Sequence, residues 1–211
     1  MFRWVARRTS EFIENVKNPL QIASERTLYN FQSEENLKQW NVFSDHEYGG
    51  SSVAALKYGE GDPNFAIFCG ECSTDVPGAN SSLKQSGFCG VHAKDGEVMD
   101  LSDFDHIRFK VRGPRSQNFI ANLHMDSWIV GGESFDLWQA ALPCRSEEWH
   151  DVDIPFHEFL LTWKGRLVQH RVEMNMSRVK GVGVSFAGRL LPGGAGRFSL
   201  DIASISAQRL M

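Results

Sequence analysis

The chain has 211 residues, 42% of them hydrophobic, which fits one domain with a short extension and a core that needs no metal or disulfide. Lysine and arginine number 22 against 26 aspartates and glutamates, and this balance, with no basic stripe, argues against nucleic-acid binding. No run of about 18 apolar residues occurs, so no transmembrane span is predicted and any membrane contact is peripheral.

Residues 1–27 are predicted to be an N-terminal extension that is helical as far as Pro19. Three arginines precede the first acidic residue, Glu11, and apolar residues can share one face of the helix. Basic, amphipathic and acid-poor starts are typical of mitochondrial targeting segments, although an ordinary surface helix can have the same pattern. The extension is therefore a candidate targeting helix.

From residue 28 onward, period-two alternation predicts β-strands. The clearest strand is 106–113, where Ile107, Phe109 and Val111 point to one face and basic residues to the other, as in an antiparallel sheet with one wet face. The same alternation recurs at 118–125, 182–188 and 197–205. Weaker strands are predicted at 28–32, 52–58, 64–70, 87–94, 135–142 and 149–154.

Turn residues separate these strands at short intervals, without long helices between them. Short helices are predicted only at 34–39, where the Ser33 hydroxyl can cap the first turn, and at 155–161, where Pro155 is tolerated in the first turn. This order of elements predicts an all-β sandwich or barrel rather than a βαβ sheet.

The cysteines give the pattern closest to a metal site. Cys69-x-x-Cys72 and Cys89-x-x-His92 are separated by sixteen residues, and zinc sites use ligand pairs at such spacing. Both pairs lie in strand-like sequence, where residues i and i+3 point to opposite faces, so the ligands diverge unless the internal glycines form turns. We predict buried thiols and no metal.

The sequence contains no recognisable catalytic arrangement. Asp100, Asp103 and Asp105 lack the pattern of a calcium loop, and Asp100 and Asp103 are interpreted as turn and cap residues before the strand at Asp105. Gly181-x-Gly183 precedes a strand, whereas a dinucleotide site requires a helix there. We therefore predict that the protein is not an enzyme and has no cofactor.

Tryptophans are the best candidates for a binding surface. Trp138 and Trp149 lie on predicted strands and are expected to pack in or beside the core. Two others fall in predicted loops, where a rigid scaffold often carries function, and aromatic side chains commonly anchor interfaces. The alternative is that these two pack beneath their own loops. The predicted partner-binding residues are Trp128, Trp163, Lys164 and Arg166.

Seven short sequence motifs, in the same order along the chain, resemble the complex I intermediate-associated protein 30 family. They are EYGGSS (47–52), GFCGV (87–91), DLSDFDHIRFKVRG (100–113), LWQA (137–140), EWHDVDIPFHEF (148–159), TWKGR (162–166) and FSLDIASI (198–205). The resemblance runs over about 28–206, which predicts one family domain there and a tail at 207–211.

The resemblance implies a jelly-roll β-sandwich, similar to galactose-binding and carbohydrate-binding modules. It also implies a non-enzymatic, chaperone-like assembly factor for mitochondrial respiratory complex I. Such a factor would act on the matrix side of the inner membrane and bind membrane-arm subunits and other assembly factors. The alternatives are an accessory subunit retained in mature complex I, a carbohydrate-binding-type module, and a metal protein built on the cysteine set.

Overall fold

The computed structural model describes residues 24–75, 86–94, 96–126, 136–163, 166–168, 173–191 and 195–210. Within these ranges the strands are β1 (Glu25–Asn30), β2 (Trp40–Ser44), β3 (Val53–Gly59), β4 (Phe65–Cys72), β5 (Phe88–Ala93), β6 (His106–Arg112), β7 (Asn118–Met125), β8 (Asp136–Pro143), β9 (His150–Pro155), β10 (Leu160–Trp163), β11 (Arg166–Leu167), β12 (Val179–Ala187) and β13 (Gly196–Gln208). Short 3₁₀ helices lie at Glu34–Gln39, Asp45–Tyr48, Phe156–Glu158, Met176–Arg178 and Gly188–Leu190.

The strands form two antiparallel sheets that enclose one hydrophobic core. Sheet A has the order β3-β4-β13-β6-β9, with β1 also paired to β13, and sheet B has the order β11-β10-β8-β7-β12-β5-β2. The all-β sandwich predicted from the sequence is confirmed. None of the described helices is long and apolar enough to cross a membrane. The predicted helical extension lies outside the described residues up to residue 23, and β1 already begins at Glu25.

Strand β13 is the centre of sheet A. One of its edges pairs with β4 along 196–202 and then with β1 along 204–208, while its other edge pairs with β6 along 201–208. A register shift between Ile202 and Ser204 lies where β4 gives way to β1. A single strand of 13 residues therefore has three neighbours.

The core is filled by the apolar faces of both sheets. In β6, Ile107, Phe109 and Val111 are fully buried, as the alternation predicts. Four phenylalanines connect the sheets, and Phe186 of sheet B stacks on Phe198 of sheet A with ring centroids 4.5 Å apart. Aromatic pairs of this kind add about 0.5–1.5 kcal/mol beyond the burial of their area.

Two features of the chain differ from the sequence-based expectation. The helix predicted at 155–161 is correct only in part: a single 3₁₀ turn, Phe156–Glu158, follows Pro155, and β10 begins at Leu160. Phe156 and Phe159 are both buried, and their i, i+3 spacing suits one turn as well as a longer helix. Strand β2 was not predicted, although the short helix before it, Glu34–Gln39, is present as a 3₁₀ helix.

A fully buried carboxylate, that of Asp45, joins the segments at one end of the sandwich. It accepts hydrogen bonds from the backbone N–H and the hydroxyl of Ser52, both at 2.9 Å, and from the backbone N–H of Gly87. A Cβ at Gly50 would lie 2.3 Å from the Asp45 carboxyl group, so only glycine fits there. Gly87 has a φ of 87°, which also favours glycine. The motifs EYGGSS and GFCGV therefore both contact this carboxylate.

We expect Asp45→Ala to lower the free energy of unfolding by about 3 kcal/mol or more, because two buried backbone N–H groups lose their acceptor. Urea unfolding followed by tryptophan fluorescence measures this loss. The control is Asp103→Ala, which removes an exposed carboxylate and should change stability by about 0.5 kcal/mol or less. Equal stability of the two variants would show that the Asp45 hydrogen bonds do not hold this end together.

Candidate partner-binding surface

Strands β10 and β11 form a tight hairpin at the edge of sheet B. Thr162 pairs with Leu167 and Trp163 pairs with Arg166. The predicted loop at TWKGR is therefore wrong in part, because Trp163 ends one strand and Arg166 begins the next. Two of the predicted partner-binding residues, Trp128 and Lys164, lie outside the described residues.

The hairpin exposes three large apolar side chains, which we call the hairpin patch: Leu160, Trp163 and Leu167. Their exposed fractions are 54%, 50% and 59%. By strand register, Leu160 and Leu167 lie on the outward face of sheet B, whereas Trp163 and the exposed Arg166 lie on the opposite face. Apolar and aromatic groups beside an arginine are typical of the centre of a protein interface.

The hairpin is attached firmly to the rest of sheet B. The hydroxyl of Thr162, which is 8% exposed, lies 2.8 Å from the backbone oxygen of Leu137 and 3.0 Å from the side-chain oxygen of Gln139. Strand β10 also pairs with β8, where Trp138 is buried in the core. The patch is thus held by a rigid scaffold.

Trp138 and Trp149 pack in or beside the core, as predicted from the sequence. Trp138 is 8% exposed and belongs to the core. Trp149 is half-buried and stacks against the Arg112 guanidinium, whose carbon lies 4.6 Å from the ring centroids of both Trp149 and Phe65. Arg112 also pairs with Asp201 at 2.8 Å, so this stack joins β4, β6 and β13 with the residue before β9.

The outward face of sheet B also carries a polar row, which we define as Ser185, Asn122, Gln139 and Thr162. These residues lie on four adjacent strands, β12, β7, β8 and β10. The Asn122 amide donates to the Ser185 hydroxyl, and the Gln139 amide donates to the Asn122 oxygen at 2.9 Å. Asn122 is only 2% exposed, so these hydrogen bonds satisfy a polar group that is largely removed from water.

Aromatic and imidazole rings lie beside the polar row. The ring centroids of His92 and His124 are 5.4 Å apart, and those of Phe43 and His92 are 5.9 Å apart. Gly183 of β12 pairs with His92 on one side and with Asn122 on the other. A Cβ there would lie 2.7 Å from the Val91 backbone oxygen, so the glycine serves close packing.

The polar row was not predicted from the sequence, although the alternation of residues in one strand pointed to part of it. In 118–125 the amide and imidazole groups of Asn122 and His124 alternate with the buried apolar residues. Their alternation places both on one outward face. It does not show which residues of neighbouring strands lie beside them.

The cysteine and histidine set does not form a metal centre. Cys69 is half-buried on the outer face of sheet A, Cys72 and Cys89 are buried in the core, and His92 points outward from sheet B. The predicted divergence of ligands within each pair is confirmed. In the described ranges, no three His, Cys, Asp or Glu side chains are placed to share a metal ion.

Asp100 acts as a turn residue, as interpreted from the sequence. Asp100 accepts a hydrogen bond from the Ser102 backbone N–H at 3.0 Å, and this bond holds the pKa of Asp100 below its usual value. Asp105 accepts from the Leu210 backbone N–H at 3.0 Å and also contacts His106. These contacts fix the start of β6 against the end of β13.

A sequence profile of the family described as "Complex I intermediate-associated protein 30 (CIA30)" matches residues 29–202. The chain belongs to this family. Members named "Complex I intermediate-associated protein 30, mitochondrial" include a Mus musculus protein, 24% identical over 184 residues, and a Drosophila melanogaster protein, 25% identical over 184 residues. The alignments cover 84% and 83% of this chain but only 54% and 60% of those proteins. The chain thus spans little more than half the length of these family members.

Solved structures similar to the family domain include carbohydrate-binding modules. A family 11 module from Clostridium thermocellum, solved with a β-1,3-1,4-mixed-linked tetrasaccharide, has a TM-score of 0.64 and 17% identity, covering 90% of this chain and 98% of the module. The family 11 module of a cellulosomal cellulase from the same bacterium has a TM-score of 0.63 and 16% identity, covering 90% of this chain and 96% of that one. At this identity the likeness shows the fold alone.

We expect Trp163→Ala to change the free energy of unfolding by about 1 kcal/mol or less, because half of this side chain is already in water. Trp138→Ala removes a buried side chain of the same type from the neighbouring strand β8 and should lower the free energy of unfolding by about 3–5 kcal/mol. Thermal unfolding of both variants provides the comparison. A large loss for Trp163→Ala would assign that residue to the core rather than to a binding surface.

We expect Asn122→Ala to lower the free energy of unfolding by about 1–3 kcal/mol, because the Gln139 amide loses a largely buried acceptor. The matched control is Asn118→Ala, which removes an exposed amide from the same face of the same strand and should be nearly neutral. Urea unfolding compares the two. A neutral Asn122 variant would mean that water replaces the amide and that the row is open to solvent.

Proposed function

We propose that this protein is a non-enzymatic, chaperone-like assembly factor for mitochondrial respiratory complex I that binds immature membrane-arm intermediates. The observation that supports this most is family membership over 29–202, with mouse and fly relatives named for association with a complex I intermediate. We propose that its partners are membrane-arm subunits and other assembly factors.

The hairpin patch suits such a role. Immature subunits expose apolar surface that aggregates until the next module docks, and a rigid apolar surface can cover it meanwhile. Leu160 and Leu167 would supply apolar contacts on the outward face of this edge, and Trp163 would supply them on the opposite face. Arg166, paired with Trp163 across the hairpin, would supply a cation at the rim. We propose that Trp128 and Lys164 also bind the partner.

We propose that the protein acts on the matrix side of the inner membrane as a peripheral component. The names of the mouse, fly and Neurospora crassa relatives include "mitochondrial". The basic residues that precede the first acidic residue, Glu11, also support a mitochondrial location.

Native-gel separation of mitochondria followed by mass spectrometry of each band tests the proposal. We expect the protein to migrate with a membrane-arm intermediate lighter than complex I and to be missing from the mature complex. Recovery in mature complex I at matched stoichiometry would instead make it a retained accessory subunit. Recovery only as a free protein would contradict both roles.

The contribution of the hairpin patch is tested by Trp163→Ala expressed in cells that lack the native protein. We expect recovery of the intermediate with the variant to fall by about tenfold or more, the effect of losing about 1.4 kcal/mol of binding free energy. The matched control is Tyr48→Ala, since Tyr48 is 53% exposed and follows β2 at the opposite edge of sheet B. Loss of capture with Tyr48→Ala alone would place the interface at that other edge.

A second candidate function, carbohydrate binding, is favoured by the half-buried members of the polar row, Ser185 and Gln139, and by the rings beside the row. Side-chain amides and hydroxyls can bind sugar hydroxyls, and rings such as Phe43 and His92 can stack on sugar faces. Glycan-array binding that is lost in Gln139→Ala, but kept in Trp163→Ala, would support this function. Absence of binding to every glycan would leave the assembly role alone.

A further inference from the structure

Two histidines from different strands lie side by side on the outward face of sheet B. His92 belongs to β5 and His124 to β7, and β12 runs between these strands. In β12, Gly183 pairs with His92 and Gly181 pairs with His124. The backbones of β5 and β7 are two strand spacings of about 4.8 Å apart. Because neither glycine has a side chain, the two rings approach each other over β12, and their centroids are 5.4 Å apart.

The ring of His92 is held in a defined orientation. Its Nδ1 lies 2.9 Å from the backbone oxygen of Ala93, and because a carbonyl oxygen only accepts, Nδ1 carries the proton of the neutral ring. Nε2 therefore carries the lone pair. The ring of Phe43 packs beside the imidazole, with centroids 5.9 Å apart. Histidines that bind metal ions usually donate their other ring N–H to a carbonyl or carboxylate oxygen in this way.

We propose that His92 and His124 together bind one divalent transition-metal ion. The ligands are Nε2 of His92 and one ring nitrogen of His124. Imidazole nitrogen suits copper, nickel and zinc, and of these Cu²⁺ generally binds most tightly. Metal–nitrogen bonds of about 2.0–2.1 Å allow two imidazoles that share one ion to have centroids up to about 6.5 Å apart. The observed separation of 5.4 Å lies within this limit.

The site is accessible and has open coordination positions. Both histidines are half-buried rather than buried, so an ion reaches them from solvent without any opening of the core. Among the residues that the structure describes, no third His, Cys, Asp or Glu is placed beside them, so water takes the remaining positions. Structural zinc sites have four protein ligands. A site with two ligands therefore exchanges its ion with solvent and does not hold the fold together.

Calorimetric titration of the reduced full chain with Ni²⁺, which does not oxidise thiols, tests the site. We expect saturable binding of one ion per chain. His92→Gln and His124→Gln should each weaken binding by at least the roughly tenfold that loss of a supporting partner costs at metal sites. Two controls, His157→Gln and Cys69→Ser, remove an exposed imidazole and a half-buried thiol and should leave the affinity unchanged.

Absence of binding to the wild-type chain would overturn the proposal. So would unchanged affinity in both His92→Gln and His124→Gln, or loss of binding in Cys69→Ser. Far-UV circular dichroism establishes that each variant is folded before it is titrated, and the two histidine variants test the site independently of each other.

Chemical footprinting locates the ion without any substitution. Diethyl pyrocarbonate modifies imidazole nitrogens that are unprotonated and accessible, and mass spectrometry of the peptides measures the rate at each histidine. We expect Ni²⁺ to slow the modification of His92 and His124 and to leave that of His157 unchanged. Equal rates at His92 and His124 with and without Ni²⁺ would contradict the assignment. The ion should also raise the melting temperature of the wild-type chain, because it binds the folded form.

Discussion

The carboxylate of Asp45 is the contact on which one end of this sandwich depends. It is buried where β2 ends, β3 begins and β5 begins, and it binds backbone groups that no strand partner satisfies. Buried carboxylates are tolerated when several donors surround them. Here the donors come from Ser52 and Gly87, which are 35 positions apart in the sequence. The requirement for glycine at Gly50 and Gly87 follows from the same contact.

The sequence predicted the strands whose two faces differ. In β6, apolar and charged residues alternate without exception, so both the strand and its buried face follow from the pattern. Strand β2 could not be predicted from alternation, because Val42 and Phe43 place apolar groups on both of its faces. Phe43 faces outward because it covers Gly90, where a Cβ would lie 2.2 Å from its ring. A period-two reading of five residues cannot reveal such a contact.

The candidate sites were predicted only where they depend on local sequence. Exposure of Trp163 follows from its place beside a turn, whatever the fold. The polar row depends on the register between neighbouring strands of sheet B, and no single strand carries that information. The zinc-like spacing was interpreted correctly from local sequence, because residues i and i+3 of a strand point to opposite faces.

The position of β13 has a consequence for how the domain folds. Without that strand, sheet A reduces to the β3–β4 pair, the β6–β9 pair and an isolated β1, because every connection between them runs through residues 196–208. It is also the last of the described strands in chain order, and its partners are up to 183 positions away, as in the pairing of Glu25 with Gln208. Such non-local pairing slows folding and leaves strand edges open in the meantime. When the chain emerges from a ribosome with its N-terminus first, sheet A cannot be completed until β13 has also emerged.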